Sequence, residues 1–127
     1  MTSSPRPLLL AAGLLGFTGV ALGAFGAHGL KGFLESNGHL VTWEKAVLYQ
    51  MLHAVALLAL ASWTDPVARK IGWCWMAGVL LFSGSLYGLA IGGPKILGPI
   101  TPLGGTAFLV GWGWLVFRAW KRPAASG

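Results

Sequence analysis

The sequence predicts an all-α membrane protein: an antiparallel bundle of four transmembrane helices with the N- and C-termini in the cytoplasm. Three observations predict it. Charge is scarce, at 9% of 127 residues against 55% apolar, whereas a soluble domain uses about a quarter charged residues to cover its surface. The charges leave four long gaps. Arg6 to Lys31 encloses 24 uncharged residues, Lys45 to Asp65 encloses 19, Lys70 to Lys95 encloses 24 and Lys95 to Arg118 encloses 22; a helix needs about 20 apolar residues to cross the hydrocarbon core. Finally, with four spans the N-terminus, the second joint and the C-terminus share one side, which carries Arg6, Arg69, Lys70, Arg118, Lys121 and Arg122. The other side carries Lys31, Lys45 and Lys95. The positive-inside rule assigns the richer side to the cytoplasm.

Helix is the natural choice because every backbone N–H and C=O must be satisfied within lipid, and the alternating segments of a β-barrel are absent. The first span is expected over about 8–30. Its glycines Gly13, Gly16, Gly19, Gly23, Gly26 and Gly29 fall on one side of a helix and offer a face for close helix packing. The first joint carries the turn signal Ser36-Asn37-Gly38. The second span is expected over about 43–63, with Thr42 as N-cap and Glu44 in the first turn. Asp65-Pro66 stops it, and the joint is short enough to make spans two and three antiparallel neighbours. The third span, about 71–92, holds the overlapping GxxxG units of Gly84, Gly88 and Gly92. After Pro94 and Pro99, Thr101-Pro102 reads as an N-cap with proline at the first helical position. The fourth span follows over about 101–120. The whole chain forms a single membrane domain.

Trp63, Trp73, Trp75 and Trp120 fall near the expected cytoplasmic ends and Trp43 near the opposite one, as interfacial anchors would. Arg6 followed by LLLAAGLLGF also resembles a secretory signal; the apolar block is longer than such a signal needs, so a retained span is expected. Cys74, the only cysteine, excludes a disulfide within the chain and reads as an inert small residue. The net charge of +6 collects at helix ends, where it meets lipid headgroups, so no nucleic-acid partner is expected.

Polar residues within spans are expensive and therefore functional candidates. They are His28 on span one; Tyr49, Gln50 and His53 on span two; Ser83, Ser85 and Tyr87 on span three; and Thr101 at the start of span four. At about 100° per residue, Tyr49, Gln50 and His53 share one stripe, which should face protein rather than lipid. The commonest use of such groups is an interhelical hydrogen bond. No nucleophile–base set, phosphate loop or dinucleotide fingerprint is present, so no catalytic residue is assigned and an enzyme is not expected. Two histidines without a cysteine or acidic cluster make a thin metal or haem site, and neither metal nor cofactor is expected.

Four blocks occur in order: GAFGAHGLKGFL at 23–34, AVLYQMLHAVALLAL at 46–60, FSGSLYGLAI at 82–91 and GPITPLGGTAFLVGW at 98–112. Together they resemble the bacterial domain-of-unknown-function 423 family, YgdD-like, whose eukaryotic relatives are called transmembrane protein 256. Gly29 stands where alanine is more usual. The resemblance covers about residues 10–117. It implies a small multi-pass protein of the bacterial inner membrane but supplies no reaction. It adds weight to His28, Tyr49, Gln50, His53, Ser83, Ser85, Tyr87, Pro99, Thr101, Pro102, Gly104 and Gly105.

The leading functional expectation is a non-enzymatic helix bundle that works as a homo-oligomer or as an accessory subunit of a membrane complex, with lipid and other membrane proteins as partners. The glycines Gly16, Gly19, Gly23, Gly84, Gly88 and Gly92 are its packing residues. Two rivals remain: a small oligomeric transporter or channel lined by the polar residues above, and a binder of haem, quinone or lipid through His28 and His53.

Overall fold

A computed structural model describes residues 4–121; Arg122, one of the basic residues used for orientation, lies outside them. Helix α1 (Arg6–Ala27) starts with proline in its first turn, where a missing N–H is harmless. It ends when the N–H of Leu30 turns back to the carbonyl of Phe25. A short α2 (Lys31–Ser36) follows and stops at Gly38, whose φ of +73° suits a residue without Cβ. Helix α3 runs Leu40–Leu60. The carboxylate of Asp65 then accepts the N–H of Val67 and starts α4 (Val67–Gly78). A π-helical turn, Val79–Ser83, joins α4 to α5 (Gly84–Ala90) in one 24-residue rod. Gly92, at φ +94°, turns the chain away, and α6 (Leu97–Lys121) returns along it.

Among the described residues, three helical stretches are long and apolar enough to cross a membrane: Arg6–Ala27, Val67–Ala90 and Leu97–Lys121. Helix α3 has the length, 21 residues, but Glu44, Lys45, Gln50 and His53 dilute its apolar content, and it falls outside that set. No strand occurs among the described residues.

Helix α3 is central. It packs along α1 on one side and against the π-turn and α5 on the other, while α6 closes against α4, the π-turn and α5. One apolar cluster joins Leu8, Ala11 and Leu15 of α1 to Leu57 of α3, Ile71 and Trp75 of α4 and Phe108 of α6. A smaller one joins Leu34, Trp43 and Ala90 at the far end. Outside these, large apolar side chains face outward, among them Phe17 at 79% and Leu109 at 72% exposure. A surface of that kind is at home in lipid rather than water.

Several local features differ from the sequence reading. Helix α6 begins at Leu97, so Thr101 and Pro102 lie within it and do not cap it. Pro102 is tolerated because the carbonyl it cannot serve belongs to the first turn, near the exposed end. Thr42 lies inside α3, which starts two residues earlier with His39 at its cap. Trp43 and Trp75 are core residues, at 4% and 1% exposure, rather than interfacial anchors. Each is admitted by a facing glycine: a Cβ at Gly26 would collide with the Trp43 indole, and one at Gly111 would lie 2.5 Å from Nε1 of Trp75.

The glycines divide in the same way. Gly19 abuts Met51 and Gln50, Gly23 abuts Val47, and Gly88 abuts Leu97. At Gly16 and Gly84 a Cβ would meet nothing within 4 Å, so neither packs against another helix of this chain. Gly92 serves the turn after α5 rather than a helix face. The three glycines at 84, 88 and 92 therefore do not form one packing ridge, because the helix has already ended when Gly92 is reached.

Candidate functional site: the polar interior

The buried polar residues form fastenings between helices. Gln50 on α3 is 3% exposed. Its Nε2 donates to the carbonyl of Leu15 at 2.9 Å and to Oγ1 of Thr18 at 2.8 Å, both on α1. Its Oε1 accepts the hydroxyl of Tyr87 on α5 at 2.7 Å. The amide orientation follows from the partners, since a backbone carbonyl can be met only by the NH2 end. Thr18 passes its own proton to the carbonyl of Leu14 at 2.7 Å. One side chain thus ties α1, α3 and α5.

His53, one turn further along α3, faces different neighbours. Its Nδ1 lies 2.8 Å from the carbonyl of Tyr49, and its Nε2 accepts the indole N–H of Trp112 at 3.1 Å. The ring stacks on Phe108 at a centroid distance of 3.8 Å and meets Trp75 edge-on. Tyr49 is at the border of exposure, 36%, and lays its ring against Phe82 and Phe108.

Ser83, fully buried in the π-turn, donates to the carbonyl of Ala46 on α3 at 2.7 Å. The turn and the serine belong together: a π-turn shifts the helical phase, which lets Val79 and Ser83 both face inward. Ser85 on α5 and Thr101 on α6 share a hydroxyl–hydroxyl bond. Their other bonds go to the carbonyls of Phe82 and Leu97, within their own rods. Gly104 lies directly over the π-turn; a Cβ there would collide with the backbone of Phe82.

The sequence candidates therefore meet in small groups rather than one: Gln50 with Tyr87, His53 beside Tyr49, and Ser85 with Thr101, while Ser83 binds backbone alone. His28 is exposed at the end of α1 and shares no contact with His53, whose neighbours come from α4 and α6. Among the described residues no three His, Cys, Asp or Glu side chains gather as metal ligands.

Sequence reasoning missed Thr18, Trp43 and Trp112 as polar partners and Trp75 as the ring that meets His53 edge-on. The Nε1–H of Trp43 donates to the carbonyl of Leu22 at 2.8 Å, and its ring meets Tyr87 edge-on. The available signal was a tryptophan on one helix set against a glycine on another. Two buried side-chain donors lack an acceptor among the described residues: Arg69 Nε, whose guanidinium still donates through Nη2 to the carbonyl of Ser4, and Trp75 Nε1. A buried donor left unpaired costs about 1–3 kcal/mol.

The family model described as "Protein of unknown function (DUF423)" matches residues 22–105, which run from the end of α1 into the first part of α6, past Gly104. The chain belongs to the DUF423 family. It is 45% identical over 105 residues to a UPF0382 membrane protein of Staphylococcus aureus, covering 80% of this chain and 85% of that one. It is 45% identical over 107 residues to the UPF0382 membrane protein YwdK of Bacillus subtilis, covering 80% and 86%. To a UPF0382 membrane protein of Haemophilus influenzae it is 44% identical over 115 residues, covering 87% and 91%. No solved structure matches. These relatives are bacterial membrane proteins, and so is this member of the DUF423 family; their names carry no reaction.

Proposed function

We propose that this DUF423 protein is a non-enzymatic, four-span inner-membrane protein with cytoplasmic termini that acts by associating with itself or with a larger membrane complex. Helix α3 is the fourth span in this reading; Gln50 and His53 are tolerated because they face α1, α4, α5 and α6 instead of lipid, and Glu44 and Lys45 are exposed near its start. The observation that carries the reading is the pairing of the interior. Gln50, His53, Ser83, Ser85 and Thr101 all spend their hydrogen-bonding groups on neighbouring helices or carbonyls. Groups so occupied hold helices together and are poorly placed to bind a passing solute or move a proton.

The outward glycines suit association. Gly13 and Gly16 have open space where a Cβ would stand, beside a shallow apolar cleft of about 220 Å³ between α1 and α3. Small residues of this kind let a second transmembrane helix approach closely. Native mass spectrometry of the protein extracted with its own lipids tests the reading, with Gly16→Leu as the paired variant. The expected result is a discrete oligomer or a complex with other membrane proteins, lost in Gly16→Leu while the variant remains helical. A bare monomer from both would overturn it.

A further inference from the structure

We propose that the cleft between the end of α1 and the first half of α3 binds the ammonium group of a membrane amphiphile, held on the carboxylate of Glu44 with the apolar chain laid along Val47 and Met51. The cleft measures about 430 Å³, within the roughly 300–1,000 Å³ of sites that hold small molecules. Gly23, Gly26 and Ala27 form its α1 side, and Trp43, Val47 and Met51 wall it from α3. It is open because the α1 side carries at most a methyl group.

The charge in the cleft decides the class of ligand. The chain has three acidic side chains. Asp65 is paired with Arg118, and Glu35 lies 3.9 Å from Lys31. Glu44 has no ion pair among the described residues, and it lines the cleft. Lys45, next to it, stands about 100° further round the helix and is not part of the lining. A second source of negative potential is independent of Glu44. Gly26 and Ala27 are the last residues of α1, and the N–H groups of His28 and Leu30 turn back to the carbonyls of Ala24 and Phe25 instead. The negative end of the α1 dipole therefore opens on the same cleft.

The lining excludes the opposite chemistry. Its one N–H side chain, Trp43, already donates to the carbonyl of Leu22 at 2.8 Å, so an anion or a bare carbonyl finds no side-chain donor. The polarity also runs as an amphiphile's does. Glu44 follows the start of α3 at Leu40 by about 6 Å along the axis, whereas Met51 lies near the middle of the helix. Leu48, at the rim, is 54% exposed, so a chain enters sideways from lipid. An aminophospholipid and a free lipophilic amine share this chemistry. With the cleft beside Gly13 and Gly16 the site shares only Met51, so it stands whether or not the chain self-associates.

Native mass spectrometry of the full chain in maltoside micelles tests the site, with dioleoylphosphatidylethanolamine, dodecyltrimethylammonium and dioleoylphosphatidylglycerol as separate probes. Retention of an ammonium probe is expected, in preference to the glycerol lipid, which carries a phosphate but no ammonium. Retention of the ethanolamine lipid alone assigns a lipid headgroup, and of dodecyltrimethylammonium alone a free lipophilic cation; retention of both supports the ammonium site in general. Glu44→Gln keeps the shape of an exposed side chain and should weaken retention about tenfold, the worth of one hydrogen bond to a charged group. Glu35→Gln removes a carboxylate that does not line the cleft and should change nothing. Should Glu44→Gln not fold, Leu48→Trp, which narrows the cleft from its exposed rim, should lower retention instead. Retention of neither ammonium probe, equal retention of the glycerol lipid, or a loss in Glu44→Gln no greater than in Glu35→Gln overturns the proposal.

Discussion

The indole N–H of Trp112 on α6 donates to Nε2 of His53 on α3 at 3.1 Å. That bond fixes the imidazole as the tautomer with its proton on Nδ1, where it donates to the carbonyl of Tyr49. Both ring nitrogens are thereby used, one ring face stacks on Phe108, and Trp75 and Trp112 meet the ring edge-on. The histidine links α3 to α6 through its ring and its Nε2. A double-mutant cycle with Trp112→Phe and His53→Ala should therefore give a coupling of about 0.6–1.7 kcal/mol, the range for hydrogen bonds between membrane helices. His53→Ala alone should cost more, about 2–4 kcal/mol, because it also empties the space under Phe108. Reversible unfolding in mixed micelles measures both; strictly additive losses would show that the bond carries nothing.

Gln50 should be the most sensitive polar position. It makes three interhelical hydrogen bonds, and Gln50→Leu keeps the bulk while stranding the half-buried Tyr87 hydroxyl and the α1 groups of Leu15 and Thr18. A loss of about 2–3 kcal/mol is expected, the cost of leaving buried groups unpaired. Tyr87→Phe removes one of the three bonds and should cost about 1 kcal/mol. The same unfolding measurement checks the order. A Gln50→Leu protein as stable as wild type would mean that water or lipid reaches these groups.

Composition and charge spacing made the helical membrane character legible, because apolar run length is set directly by bilayer thickness. They also pointed to Gln50, His53, Ser83, Ser85, Tyr87 and Thr101 as polar residues in apolar runs. Which of these would meet was not legible. The stripe of Gln50 and His53 faces two different sets of helices, α1 and α5 for the first, α4 and α6 for the second, and periodicity gives only the direction along one helix. The π-turn was hidden because it changes phase without a proline or a charge to mark it. Trp43 and Trp75 were misplaced at the interface because tryptophan near a span end is usually an anchor; here facing glycines, Gly26 and Gly111, draw them inside.

Gly104 and Gly105 are adjacent, yet should respond oppositely. A Cβ at Gly104 would run into the backbone of Phe82, which cannot swing aside, whereas at Gly105 it would meet only the Phe82 ring at 4.0 Å. Gly104→Ala should push α6 off the π-turn and cost about 3 kcal/mol, the upper part of the range for overpacking. Gly105→Ala should be neutral or slightly stabilising, since alanine favours helix by up to about 1 kcal/mol. Thermal unfolding of the two variants decides; equal effects would mean that α6 slides freely over the turn.

The place of α3 is settled by labelling. It carries Glu44, Lys45, Gln50 and His53 and is the least apolar of the long helices, so two arrangements compete: α3 crossing the bilayer, or α3 held against the other three from one side. In a Cys74→Ser background, Ser36→Cys and Thr64→Cys place single thiols at exposed positions beyond the two ends of α3. If α3 spans and the basic side is cytoplasmic, a membrane-impermeant maleimide added to intact cells should label Ser36→Cys and spare Thr64→Cys until the membrane is opened. Labelling of both from one side would mean that α3 does not cross. The reverse pattern would keep four spans but invert them, so that Arg69 and Lys70, which follow Thr64, would lie outside against the charge rule.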